Sequence, residues 1–281
     1  MLIILAILIA LIVILSVAAA IGGNRFHHQA RAEAVAMFAR SRAAPREIIT
    51  EAQLENLPAP VQRWLRHAGV IGKERIATVR LKQKGFFRLS ESQRWMPFEA
   101  EQYYVTDEPA FVWYATMRPA PLLAITGRDK YEDGKGNMLI KLSSLIPVAD
   151  AKGDEIDQGT LVRYLNETMW FPTAALSRYI TWEPNDENSV KATMSYKGVT
   201  ASAIFQFNVK GELTNMIAER YRTVGKRFEL DQWSTPVAAY RESNGIIIPI
   251  KGEGVWNLST GDFSYIKLEI TDIEYNHASV Y

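Results

Sequence analysis

From residue 76 to the carboxyl end, apolar and polar positions alternate with a period of two, the pattern of half-buried strands rather than helices. The stretches that carry it are 76–89, 97–106, 110–117, 123–133, 137–144, 189–196, 200–209, 212–224, 232–243, 245–258 and 264–276. Turn signals at Asp133-Gly134-Lys135-Gly136, Lys197-Gly198, Lys210-Gly211 and Asn244-Gly245 separate several of them. This spacing predicts about ten or eleven antiparallel strands in meander order. One segment breaks the period. In QGTLVRYLNETMWFP, residues 158–172, Leu161, Leu165 and Met169 form a helical stripe, Arg163 and Glu167 form an i,i+4 pair, and Pro172 marks a stop.

Residues 111–117, FVWYATM, pose a question of faces. In a strand Phe111, Trp113, Ala115 and Met117 share one side while Val112, Tyr114 and Thr116 share the other, and neither side is charged. A long antiparallel sheet hides its edges by curling, which predicts a half-barrel whose concave side carries Phe111, Trp113 and Met117. Val112 and Tyr114 then lie beneath a helix or at a rim. A curled sheet of this size can leave an apolar cavity, with Tyr104 as a polar rim and the helix carrying Leu161, Leu165 and Met169 as a lid. These seven residues are the expected ligand-binding set. Seven rings between Trp95 and Tyr114 are compatible with it, although core packing is the first explanation for most of them.

Ahead of the sheet the pattern is helical. The first 21 residues, MLIILAILIALIVILSVAAAI, hold no charge and one polar side chain, Ser16. At about 1.5 Å per residue they span roughly the 30 Å hydrocarbon core of a bilayer. The expectation is a single-pass anchor over residues 1–23 in the cell (inner) membrane. A signal peptide cleaved near Ala18-Ala19-Ala20 is the rival, disfavoured by the length of the apolar run and the lack of a preceding Lys or Arg. Arg25, Arg31, Arg40, Arg42 and Arg46 follow the span, which by the positive-inside rule puts the rest of the chain in the cytoplasm.

Residues 24–75 read as a helical juxtamembrane stalk and a packing helix, and 76–281 as the half-barrel. In the stalk, Phe26, Val35, Met37 and Phe38 are scattered apolar points, so it reads as a spacer that Pro45 stops. Thr50 and Gln53 have capping-box spacing. In LPAPVQRWLRHAG, Val61, Trp64, Leu65 and Ala68 form a stripe that Gly69 caps, suited to packing on the sheet.

Composition narrows the chemistry. Lys and Arg number 32 against 31 Asp and Glu, so no basic field points to nucleic acid. Cysteine is absent, which excludes disulfides, thiolate metal sites, a cysteine nucleophile and a lipidated cysteine. The four histidines, His27, His28, His67 and His277, have no metal-ligand spacing and read as solvated. Asp150, Asp154, Glu155 and Asp157 lack the spacing of a calcium loop. Glu99 and Glu101 share a strand face, as a retaining hydrolase requires, but such pairs usually meet water or an arginine. No catalytic residue, metal or cofactor is predicted.

LPAPVQRWLRHAG, RWMPFEAEQYYVTDEPAFVWYATM and LVRYLNETMWFPTAAL together resemble a widespread bacterial family of unknown function over nearly the whole chain after the anchor. YRESNGIIIPIKGEGVW, residues 240–256, resembles lipoprotein-carrier-like proteins, whose half-barrels hold acyl chains under a helical lid. That resemblance implies a fold and a lipid or other apolar ligand. It also implies a domain outside the cytoplasmic membrane, against the arginine distribution, so the side stays open. The chain departs from such carriers in keeping an anchor and having no cysteine to lipidate. The leading expectation is a non-catalytic, membrane-anchored lipid-binding protein of the bacterial envelope. The alternatives are a tethered scaffold acting through protein partners and an unrecognised lipid or carbohydrate hydrolase.

Overall fold

The computed structural model describes residues 1–41, 47–120, 123–225 and 227–281. Among the described residues fourteen strands form one antiparallel sheet. The first six are β1 (Thr78–Phe87), β2 (Met96–Val105), β3 (Ala110–Ala120), β4 (Leu123–Glu132), β5 (Lys135–Leu142) and β6 (Ile146–Ala151). After helix α3 (Asp154–Glu167) come β7 (Ile180–Pro184), β8 (Ser189–Tyr196), β9 (Val199–Phe207), β10 (Leu213–Val224) and β11 (Arg227–Ser234). The chain closes with β12 (Val237–Ser243), β13 (Ile246–Leu258) and β14 (Gly261–Tyr275). Along the sheet the order is β6-β5-β4-β3-β2-β1-β14-β13-β11-β10-β9-β8-β7, with β12 paired to β13. The amino- and carboxyl-terminal strands β1 and β14 therefore meet in mid-sheet, and the two edges are β6 and β7.

The class is the mainly β half-barrel read from the sequence, with more strands than the ten or eleven expected. The additions have a common cause. Edge strands β6 and β7 carry Pro147 and Pro184, which is tolerated where a ladder partner is missing but erases the alternating signal. Pro236 divides the single stretch 232–243 into β11 and β12.

Helix α1 (Leu2–Arg40) answers the question of the second face. Its first 15 residues project from the domain, the stretch from Ser16 borders the sheet across a cavity, and the helix is long and apolar enough to cross a membrane by length and composition. Its second half is no spacer, which corrects the sequence reading. Phe26, Ala30, Ala34, Met37 and Phe38 are buried against Tyr103, Val105, Ala110, Val112 and Tyr114 on the convex side of the sheet. The stripe recurs at i, i+4, i+8 and i+12, and two of its members are alanines, so the helix lies close to the sheet. Phe26 meets Tyr114 edge-on at 5.7 Å and Phe38 meets Tyr103 at 6.0 Å. Pro45, the expected stop, lies outside the described residues.

Helix α2 (Ala59–Ala68) buries Val61, Trp64, Leu65 and Ala68 and ends at Gly69 in the left-handed conformation. Trp64 packs on Trp182, Phe205 and Phe207, so the apolar stripe of α2 is consumed by the sheet. A short 3₁₀ turn at Glu51–Leu54 precedes it, opened by Thr50 N–H donating to Gln53 Oε1 at 2.8 Å.

Candidate functional site

Helix α3 connects the two edge regions of the sheet and crosses its concave side. At its first turn Asp157 accepts from Lys135 Nζ and from the Gly136 backbone N–H, both at 2.7 Å. On the opposite flank Gln158 donates to the Glu219 carbonyl at 3.0 Å, and Arg220 donates to the Gly159 carbonyl at 3.0 Å. Leu161, Val162, Tyr164 and Leu165 are almost wholly buried, so nearly every side of this helix faces protein.

A buried polar network fixes α3 to the strands below it. The Arg163 guanidinium donates to Asp129 Oδ2 at 2.6 Å, to Glu167 Oε1 at 2.8 Å and to Gln102 Oε1 at 3.3 Å. It also lies over the rings of Phe111 and Trp113, 5.0 and 4.9 Å from their centroids. Glu167 Oε2 accepts from Gln102 at 2.8 Å and from the Tyr104 hydroxyl at 3.0 Å. Gln83 extends the network, accepting from Trp113 Nε1 at 2.9 Å. Burial works against the guanidinium charge, yet Glu167 and Asp129 outweigh it and hold the Arg163 pKa above its ordinary value. Burial pushes the Glu167 carboxyl up, opposed by Arg163, because two carboxylates share one guanidinium.

This arrangement sorts the seven expected ligand residues. Tyr104, Phe111, Leu161, Leu165 and Met169 are sealed in the main core, at 0–1 % exposure. Here α3 and the 3₁₀ turn that follows it (Thr168–Trp170) fill the concavity instead of lying over a vacant space, because Leu161, Leu165 and Met169 are all buried in the core beneath them. Trp113 and Met117 lie farther along the concave face. With Phe98, Ala100 and Ala115 they form a second apolar cluster, and half-buried Phe87, Ile125, Ile266 and Leu268 surround it. Its floor is made of small residues. Gly127, Ala115 and Ala100 stand side by side on β4, β3 and β2, and a Cβ on Gly127 would lie 3.5 Å from the Met117 methyl and 3.6 Å from the Trp113 ring. Sequence periodicity identified the apolar face but not where α3 stops covering it.

The carboxylate pairing expected of a hydrolase is broken. Glu101 accepts from Arg31 at 2.7 and 3.0 Å, from Tyr103 Oη at 2.7 Å, and lies 3.1 Å from His27 Nε2. His27 is thus not a solvated histidine: it stacks on Tyr114 at 4.7 Å and joins the clamp that holds α1 to the sheet. Burial alone would raise the Glu101 carboxyl; hydrogen bonds from Arg31, Tyr103 and His27 reverse this and bring it to about 2. Two further ion pairs, Glu33 with Arg128 and Arg40 with Glu132, support the same docking. In the acidic cluster, Asp157 is the buried anchor just described, while exposed Asp150 accepts from Asn137 at 2.7 Å.

Two cavities of about 730 and 660 Å³ lie on the convex side. The first, between the Ser16–His27 stretch of α1 and the sheet, is lined by Lys82, Lys84, Glu99, Thr116 and Arg118 among others. The second adjoins it over Phe86, Lys251, Lys267 and Glu269. Their charged walls differ from the apolar concave cluster.

The model of a family of unknown function (DUF6544) matches residues 47–268. No curated protein matches the chain. Among solved structures, a candidate outer membrane lipoprotein-sorting protein domain from Vibrio parahaemolyticus is similar at 8 % identity and a TM-score of 0.44, covering 71 % of this chain and 86 % of its own. A LolA superfamily protein from Nitrosomonas europaea is similar at 8 % identity and a TM-score of 0.41, covering 77 % of this chain and 94 % of its own.

Proposed function

We propose that the chain, which belongs to the family of unknown function DUF6544, is a non-catalytic, membrane-anchored protein that binds a lipid or other apolar molecule on the concave face of its half-barrel. One observation carries this reading. The filling of the concavity by α3 ends at Trp113, and beyond it Phe87, Trp113, Ile125, Ile266 and Leu268 are left half-buried around a floor of Gly127, Ala115 and Ala100. An apolar trough with one polar corner, where Gln83 and Arg163 meet Trp113, suits an acyl chain whose polar end reaches that corner. The anchor raises the local concentration of lipid, so modest affinity suffices.

Trp113 and Met117 are the contacts retained from the sequence reading; Tyr104 and Phe111 act behind them, as the wall on which α3 is seated. The scaffold alternative loses its strongest support, since the stripe of α2 is buried. The experiment is native mass spectrometry of the full chain released from lipid nanodiscs, wild type against Ile125→Trp, which fills the trough without touching the Arg163 network. The wild type is expected to retain a lipid that the variant loses. A wild type that stays folded and empty after incubation with fatty acid and phospholipid contradicts the proposal.

A further inference from the structure

We infer that the hairpin end of the half-barrel next to α1 is a second membrane contact, seated in the headgroup layer of the bilayer that α1 enters. The inference rests on the anchor reading of α1. In a meander, alternate hairpins open at the same end, and Phe87 pairs with Met96, Ala120 with Leu123 and Leu142 with Ile146 at the turns of β1–β2, β3–β4 and β5–β6. Helix α1 runs along the convex face toward that end. Going toward its amino terminus, Phe38 lies on Tyr103, Phe26 on Tyr114, and Gly22 on the β5–β6 turn. A Cβ on Gly22 would come within 2.7 Å of the Leu145 side chain, so the turn is pressed against the helix where its apolar span ends.

At that level apolar side chains are exposed among the charged Glu91, Arg94 and Arg118, the mixture that a headgroup layer accommodates. Leu145, Ile146 and Val148 are 42, 60 and 59 % exposed, Leu89 is 59 % and Leu123 is 39 %. Ile146 and Val148 lie on edge strand β6, Val148 as the extra residue of a bulge, and an exposed apolar edge strand is an aggregation liability unless something covers it. Trp95 stands at the same end with Arg88 4.5 Å and Lys267 5.5 Å from its ring, the aromatic and cationic mixture favoured at a membrane surface. The opposite end bears fewer exposed apolar residues, Ile48 and Ile71 ahead of β1 and Val209 at the β9–β10 turn. Continuity with α1 identifies the cover as a lipid surface, which also brings the apolar trough to the bilayer.

The lack of cysteine permits a direct test. Single variants Ile146→Cys, Leu89→Cys, Val209→Cys and Ile12→Cys of the full chain are labelled with an environment-sensitive fluorophore and reconstituted in phosphatidylcholine–phosphatidylglycerol vesicles. Nitroxide-bearing phospholipid is then added as quencher. Most of the fluorescence at positions 146 and 89 is expected to be lost, as at position 12, while position 209 stays bright. Quenching at 12 without quenching at 146 and 89 overturns the second contact and spares the anchor. No quenching at 12 overturns the anchor, and the second contact with it.

Discussion

Replacing Arg163 with alanine is expected to cost about 3–5 kcal/mol of stability, the usual penalty for removing one partner of a buried ion pair. The variant leaves the Asp129 and Glu167 carboxylates, 8 and 5 % exposed, facing each other's charge across the space the guanidinium held. It also removes the cation over Phe111 and Trp113. Thermal unfolding should shift down by roughly ten degrees for a domain of this size. Arg163→Lys should recover little, because an ammonium lacks the fork that reaches Asp129, Glu167 and Gln102 together. Arg163→Met combined with Asp129→Asn and Glu167→Gln should recover much of the loss, since no buried charge then remains. A loss below about 1 kcal/mol for Arg163→Ala would show that α3 is loosely held.

Acid should release the second half of α1 from the sheet. Hydrogen bonds from Arg31 and His27 of α1 and from Tyr103 of β2 lower the Glu101 carboxyl from the ordinary 4.5 to about 2, and its side chain is 17 % exposed. Converted at about 1.4 kcal/mol per pKa unit, the whole set of contacts on Glu101 is worth on the order of 3 kcal/mol at neutral pH, and docking of α1 supplies the part that comes from Arg31 and His27. Because the docked value is the lower one, this contribution is complete above the ordinary carboxyl value of 4.5 and disappears as pH falls toward 2. Spin labels on Val35→Cys in α1 and Glu108→Cys in the β2–β3 turn should give a narrow distance distribution at pH 7 that broadens in that window. Glu101→Gln should broaden it already at pH 7, which separates the clamp from general acid unfolding. An unchanged distribution in Glu101→Gln would leave the docking to the apolar stripe alone.

The sequence made some of this legible and concealed the rest for physical reasons. The stripe of Val61, Trp64, Leu65 and Ala68 and the alternation in β1 to β5 are strong periodic signals, and both elements lie where their apolar faces require. The docking of α1 was concealed because two of its five contact residues are alanines, which register weakly as apolar but allow close approach. Arg163 and Glu167 were recognisable as a helical pair, but i,i+4 spacing looks the same on a wet surface as in a core. The same ambiguity affected Tyr104, Phe111, Leu161, Leu165 and Met169: apolar residues that line a cavity and those that fill it have one pattern. Only the path of α3 across the sheet distinguishes them.

The most direct measurement is photochemical capture on the concave face. A benzophenone-bearing amino acid placed at Ile125 of the full chain, and at Val209 as a distant control, is irradiated in native membranes and the adduct mass is read. Lipid-sized adducts at position 125 and none at position 209 are the predicted result. Peptide adducts at 125, or none, would contradict a lipid site on the concave face.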